Sequence, residues 1–115
     1  MGSDWSEPAN DGSTIVALTE FGFIVTGSGF DPEKDTSVMQ TKSFRMRTIG
    51  VATPDQGIAA AKRLVEDGVQ LIELCGGFGP LWTGRIIEAI DDAVPIGSVG
   101  YGPEAVDRVQ EIFAT

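Results

Sequence analysis

The chain of 115 residues contains no histidine and a single cysteine. Without histidine it cannot form a Ser-His-Asp triad, a histidine metal site or an imidazole base. Cys75 has no partner for a disulfide within the chain, which is typical of proteins in a reducing cytoplasm. We therefore expect a cytoplasmic protein that works without a metal ion or another cofactor.

Basic residues are also scarce. The chain has 8 Lys and Arg against 17 Asp and Glu, which gives a formal net charge of -9 and a sequence pI near 4.2. The basic residues are scattered rather than grouped into a stripe, and the net charge repels phosphate backbones and anionic lipid surfaces. We therefore expect neither nucleic acid nor a membrane as a partner.

The remaining composition is that of an ordinary globular domain, with 42% apolar and 22% charged residues. Residues 1–13 are polar, rich in turn-forming residues and without periodicity, so we expect a disordered tail there. The length after this tail suits one core, and we predict a single α/β domain over residues 14–115.

The first half of the domain reads as strands. An apolar, β-prone run predicts a strand, most clearly over Phe21–Thr26, which ends at Gly27-Ser28-Gly29. The imperfect alternation from Thr36 to Thr48 suits either a hairpin or a short helix followed by a strand, and we favour the hairpin. The sequence leaves open whether the first strand runs parallel to its neighbours.

The second half alternates helices with strands. Thr53, Pro54 and Gln56 have the spacing of an N-cap, a proline at the first helical position and a capping-box partner, and Gly68 suits the C-terminal cap of that helix. Residues 70–75 form a nearly continuous apolar run, typical of a strand covered on both faces. Further along the chain, we expect a helix opened by Gly79-Pro80, a strand over 95–100, and a last helix whose residues Val106, Val109, Ile112 and Phe113 point inward.

This order predicts right-handed βαβ crossovers. The fold class is α/β, with a small, mostly parallel sheet of four or five strands and a C-terminal helix.

The segment that best suits a functional site is Glu73-Leu74-Cys75-Gly76-Gly77-Phe78-Gly79-Pro80, a strand that runs through a glycine loop into a helix. In open α/β sheets, ligands bind beyond the carboxyl ends of the strands, near unpaired N–H groups of helix N-termini. The loop does not match a nucleotide motif, because Trp82 stands where the dinucleotide fingerprint needs a small residue and no Gly-Lys-Ser/Thr follows.

Three segments, GFIVTGSGFDPEKD, GVQLIELCGGFGP and VPIGSVGYGPEAVDRVQEIF, resemble a family of small bacterial proteins known only as a domain of unknown function. Its usual core reads close to V-x-L-I-E-L-C-G-G-F-G. The resemblance covers about residues 20–113. It implies the limits of the domain and the importance of Glu73 and of Cys75 to Gly79, and it implies no reaction.

Two residues of the motif are candidate catalytic groups. Glu73 interrupts an apolar strand, and burial of a carboxyl group would suit it to act as a general acid or base. Alternatively, Glu73 accepts structural hydrogen bonds or lies at a subunit contact. Cys75 is expected on the same face of the strand as Glu73, where it would be a nucleophile, a redox centre or, more simply, a buried inert thiol.

Residues around the loop complete the predicted site. Tyr101, which lies in a second strand-glycine-helix segment, would supply a hydroxyl to the pocket or pack at a sheet edge. If the first strand runs parallel to the others, the loop at residues 27–29 would form a third wall of the pocket. Arg85 would reach a bound carboxylate or pair with Glu88. Phe78 and Trp82 would line the pocket or face a second subunit.

We therefore expect a small-molecule binding protein. Its ligand would be a carbonyl or carboxylate metabolite held by the N–H groups of residues 76–79, with Glu73 and Tyr101 available for acid–base chemistry of the isomerase, cyclase or lyase type. The alternative is a non-catalytic interaction or sensor protein that acts as a homo-oligomer. Either reading is compatible with a homodimer, which we expect because one small domain has many apolar side chains to cover.

Overall fold

The computed structural model describes residues 16–114. The disordered tail predicted over residues 1–13 lies outside this range. The strands are β1 (Glu20–Thr26), β2 (Thr36–Gln40), β3 (Arg45–Val51), β4 (Leu71–Leu74) and β5 (Ile96–Ser98). The helices are α1 (Gly57–Glu66), α2 (Gly79–Ala89) and α3 (Val106–Phe113), and 3-10 turns at Pro54–Gln56 and Gly76–Phe78 precede α1 and α2.

The five strands form one sheet in the order β2-β3-β1-β4-β5. Strands β1, β3, β4 and β5 are parallel, and β2 pairs with β3 in the antiparallel direction. The α/β fold with a mostly parallel sheet is therefore confirmed, as is the hairpin of β2 and β3. The direction of β1, which the sequence left open, is parallel to β3 and β4.

Helices α1 and α2 cover one face of the sheet, which we call the covered face. The core lies there and includes Ile24, Leu64, Ile72 and Ile86, all with no exposed surface. Gly22 of β1 allows close packing of α1, because a Cβ at this position would lie 2.9 Å from Leu64 Cδ1. On the same side, Arg47 of β3 pairs with the residue that caps α1, Asp67, at 4.0 Å.

The opposite side of the sheet, which we call the bare face, has no helix packed on it within residues 16–114. Strand alternation and register place on it Phe21, Phe23, Val25, Ser37, Met39, Met46, Thr48, Gly50, Leu71, Glu73 and Gly97. The prediction that β4 is covered on both faces is therefore wrong: Ile72 and Leu74 are buried, whereas Leu71 is half-buried and Glu73 is exposed.

β4 is covered on one face only because the last helix, α3, does not pack on the sheet. The inward orientation predicted for α3 is wrong, because none of its residues is buried and Val106, Ile112 and Phe113 are 50%, 71% and 65% exposed. The amphipathic pattern of α3 is real, but in the single chain the apolar side of this helix packs on neither face of the sheet.

The start and end of α1 differ in how well local signals predict them. Thr53 is extended but makes no side-chain cap hydrogen bond, and residues 54–56 form a 3-10 turn before α1 begins at Gly57. Gln56 Oε1 accepts a hydrogen bond from the Ala52 N–H at 2.8 Å, so the predicted capping box is wrong. At the other end, Gly68 has a φ of 89°, which confirms the glycine cap.

Candidate functional site

The parallel strands bring three glycine-containing loops to one edge of the sheet, beyond the carboxyl ends of β1, β4 and β5. The loop after β1 is at this edge because β1 is parallel, but Gly27 in this loop and Gly50 at the end of β3 serve packing. Cβ atoms built at Gly27 and at Gly50 would each lie 2.7 Å from the ring of Phe30, so the protein's own side chain fills this space.

The loops after β4 and β5 meet, as the sequence predicts for neighbouring strand ends. The ring of Tyr101 lies on Gly76: a Cβ at Gly76 would be 2.7 Å from Tyr101 Cε2 and 3.2 Å from the phenolic oxygen. Tyr101 remains 52% exposed, so its ring covers the loop while another side stays open to solvent. The small residue at position 76 therefore makes room for Tyr101.

Cys75 lies at the end of β4 and joins it to β1. The Cys75 N–H donates to the Ile24 carbonyl at 3.1 Å, as in a parallel ladder. The next donor along β1, the Thr26 N–H, bonds to Cys75 Sγ at 3.2 Å, and Thr26 Oγ1 lies 3.2 Å from the same sulfur. The thiol is therefore directed toward β1, and the expectation that it shares a face with Glu73 is wrong because β4 ends at Leu74.

The remaining glycines of the loop have different structural reasons. A Cβ at Gly77 would collide with the Thr26 hydroxyl. Gly79 has a φ of 70°, in the left-handed region that favours glycine, and a Cβ there would meet nothing within 4 Å. The backbone beside Gly79 is thus the part of the loop that the chain's own side chains leave open, and Pro80 contributes no N–H to it.

Glu73 opens onto the bare face, between Phe23 of β1 and Gly97 of β5 in the register of the sheet. Because Gly97 has no side chain, a depression of about 230 Å³ remains, lined by Glu73, Gly97, Ser98 and Val99. Glu73 is exposed, so the burial on which its predicted acid–base role depended is absent in the single chain.

The three predicted contacts on α2 and its preceding turn fall elsewhere. Phe78 is 3% exposed and packs in the core between Gly57 and Ile86, so its predicted place at the mouth of a pocket is wrong. Trp82 is half-buried against the core. The Arg85 guanidinium carbon lies 4.6 Å from the centroid of the Trp82 ring, which is a cation–π contact. The sequence had suggested a bound carboxylate or Glu88 as the partner of Arg85, and Trp82 is neither.

Two residues beside the site escape sequence reasoning. Thr26 is a strand-end threonine whose hydroxyl contacts both Cys75 and Gly77, and Ser98 lines the depression beside Glu73. Both are polar residues at the carboxyl end of a strand, which is the signal that would have found them.

Two searches of residues 16–114 were negative. No group of three Cys, Asp or Glu side chains within that range is placed to hold a metal ion. No helix in the same range combines the length and the apolar character needed to cross a bilayer.

A family of unknown function, DUF6506, matches residues 19–114, which is nearly all of the region that the structure describes. The chain belongs to this family. The match confirms the prediction that the chain belongs to a family known only as a domain of unknown function. No curated protein and no solved structure matches the chain.

Proposed function

We propose that the chain binds a small organic metabolite in the depression beside Glu73. The observation that carries this proposal is the placement of one carboxylate on a face whose other strand residues are all uncharged. A carboxylate among apolar neighbours at the carboxyl end of a parallel sheet is a feature typical of ligand sites.

The chemistry of the lining narrows the ligand class. A volume of about 230 Å³ suits a molecule of few atoms. Glu73, on the same face as the gap left by Gly97, accepts hydrogen bonds or a proton. A carboxylate base beside a small depression suits a carbonyl compound that also carries an exchangeable hydrogen.

Acid–base catalysis is a further step of the same proposal. Proton transfer next to a carbonyl, as in isomerase, cyclase or lyase reactions, needs a base and a hydrogen-bond donor but no metal. Glu73 would be the base, and Tyr101, which covers Gly76 at the neighbouring loop, would be a second polar contact. Cys75, whose thiol contacts Thr26, has no part in this chemistry.

Thermal denaturation against a panel of carbonyl compounds, carboxylates, amines and nucleotides tests this proposal. A ligand at 100 times its dissociation constant stabilises the native state by about 2.7 kcal/mol, which corresponds to a rise in Tm on the order of 10 °C. We expect a carbonyl compound to raise the Tm of the wild type, and Glu73→Gln to reduce that rise.

Glu66→Gln is the matched control, because Glu66 is an exposed glutamate on α1, away from the bare face. Its response to the ligand should equal that of the wild type. An equal response from Glu73→Gln would remove Glu73 from the site, and the absence of any carbonyl ligand would contradict the proposal as a whole.

A second candidate, the non-catalytic homo-oligomer, is favoured by the apolar residues of the bare face. Mostly parallel sheets are normally covered on both faces. Here Phe21, Phe23 and Leu71 lie on the bare face, and no helix of residues 16–114 packs on them. We propose that a second copy of the chain covers them. The expected mass in solution is then about twice 12.2 kDa.

A further inference from the structure

Helix α3 is a second apolar surface that the chain does not cover. Val106, Ile112 and Phe113 are each at least half exposed and lie with Val109 on one side of the helix. Isolated helices shorter than about 12 residues are marginal in water, and α3 has 8 residues. This helix therefore needs a surface to pack on.

The bare face is a surface of the right kind. Besides the aromatic residues of β1, it contains a groove of about 210 Å³ between β2, β3 and the turn that joins them, lined mainly by Met39, Phe44 and Met46. Met39 is 66% exposed, and Phe44 stacks on Phe21 with a distance of 6.3 Å between ring centroids. Methionine and aromatic side chains adapt well to an apolar helix.

The two surfaces are also complementary in charge. Glu73 is the one charged strand residue on the bare face, and α3 carries Arg108 beside its apolar side. Among residues 16–114 the ion pairs are Glu20–Arg45 and Arg47–Asp67, so both Glu73 and Arg108 are available for a partner.

The path of the chain carries α3 away from its own bare face. After β5, Tyr101 holds the connecting segment against Gly76 at the strand-end edge, and α3 begins five residues later. In this arrangement α3 makes no substantial packing contact with any strand of its own sheet. A second copy can receive the helix without any change in the connecting segment.

A reciprocal contact comes closer to the size of a stable interface than a single docked helix does. Stable interfaces bury about 800 Å² on each partner. Five strands at about 4.8 Å spacing and four residues at about 3.3 Å give a sheet face of roughly 300 Å² in projection. One helix on one such face is therefore a weak contact, whereas an exchange in which each copy contributes a face and a helix doubles the projected contact to roughly 600 Å².

We propose that two copies of the chain exchange α3, so that the apolar side of each helix lies on the bare face of the other copy. Arg108 of one copy then lies near Glu73 of the other. This exchange rests on the homo-oligomer candidate above and identifies the segment that makes the contact. It also covers the depression at Glu73, which would exclude water from the proposed ligand site.

Light scattering of the full chain tests the exchange. The wild type is expected at about twice 12.2 kDa, and Ile112→Ser/Phe113→Ser, which removes the apolar side of α3, at about 12.2 kDa. The matched control is Asp107→Ser/Glu111→Ser, which makes two serine substitutions on the polar side of the same helix and should keep the dimer mass.

Mixing two defective chains tests whether the contact is reciprocal. Met39→Asp disrupts the bare face at an exposed position, so its folding is not at risk, and this chain retains an intact α3. Mixed with Ile112→Ser/Phe113→Ser, it should form a heterodimer with one docked helix. This heterodimer should be weaker than the wild-type dimer and should appear only at high protein concentration, where each variant alone is still a monomer. Neither variant should pair with itself.

The outcomes separate the exchange from its alternatives. A monomeric wild type would overturn both the homo-oligomer candidate and the exchange. A dimer that survives Ile112→Ser/Phe113→Ser would keep the homo-oligomer and overturn the exchange, since the two sheets would then pack directly. A mixture that stays monomeric even at high protein concentration would also overturn it.

Discussion

The two faces of the sheet contain similar apolar side chains, yet the chain covers only one of them. On the covered face, Ile24, Ile72 and Leu74 are fully buried under α1 and α2. On the bare face, one residue away along the same strands, Phe23 and Leu71 are half-buried and Glu73 is exposed. The difference shows that an apolar strand pattern does not by itself tell whether the chain covers one face of the sheet or both.

The largest expected effect comes from a pair of leucines in β4. Leu74→Ala removes a fully buried side chain on the covered face and should lower the free energy of unfolding by about 2–5 kcal/mol. Leu71→Ala, on the bare face, should cost about 1 kcal/mol in dilute protein because Leu71 is already partly in water. Urea denaturation measures both.

Protein concentration sharpens this prediction. If a second copy covers the bare face, the cost of Leu71→Ala should rise with concentration, whereas that of Leu74→Ala should not change. Equal costs for the two substitutions in dilute protein would contradict the assignment of Leu71 to an uncovered face.

The sequence predicts what depends on neighbouring residues and misses what depends on distant ones. The hairpin, the glycine cap at Gly68 and the helix opened by Pro80 follow from local backbone preferences. The burial of Phe78 does not, because it results from the position of Gly57, twenty-one residues earlier in the chain. The direction of Cys75 likewise results from the Thr26 N–H on another strand.

For the candidate site, the sequence predicted that Tyr101 would lie near the glycine loop if β4 and β5 were neighbours, and the structure brings Tyr101 onto Gly76. It could not predict that Glu73 is exposed, because a short apolar strand has the same pattern whether one face is covered or two. The helix expected to cover the second face, α3, has the correct amphipathic pattern, and only the tertiary structure shows that the chain leaves it unpacked.

A pair of glycines should give smaller effects of opposite sign. Gly22→Ala places a Cβ 2.9 Å from Leu64 Cδ1 on the covered face, and overpacking of this kind should cost about 1–3 kcal/mol. Gly97→Ala, on the bare face, meets nothing within 4 Å and should stabilise the strand by about 0.5–1 kcal/mol.

Gly97→Ala should also weaken ligand binding, because its methyl group would enter the depression beside Glu73. Thermal denaturation with and without a ligand separates the two effects. A ligand whose binding is unaffected by Gly97→Ala would have to bind elsewhere, and a destabilised Gly97→Ala chain would indicate that the bare face is already covered at that position.

The smallest expected changes in the free energy of unfolding come from two arginines. Arg85 has a partner in its own chain, and Arg108 has none among residues 16–114. The Arg85 guanidinium lies on the Trp82 ring at 4.6 Å, so Arg85→Ala should cost about 0.5–1 kcal/mol at every protein concentration. Arg108→Ala should change the stability of the dilute chain by less than about 0.5 kcal/mol, as is usual for an exposed side chain.

At concentrations where the dimer forms, Arg108→Ala should weaken association, because the substitution leaves the partner's Glu73 without a counter-ion under a docked helix. Arg85→Ala should leave association unchanged, since α2 lies on the covered face. Sedimentation at several salt concentrations tests the charge pair directly: the contribution of Arg108 should decrease as salt rises, and the apolar contribution of Phe113 should not. If Arg108→Ala and the wild type have the same association constant at low salt, Arg108 does not pair with Glu73. In that case α3 either lies on the bare face in a different orientation or does not lie on it.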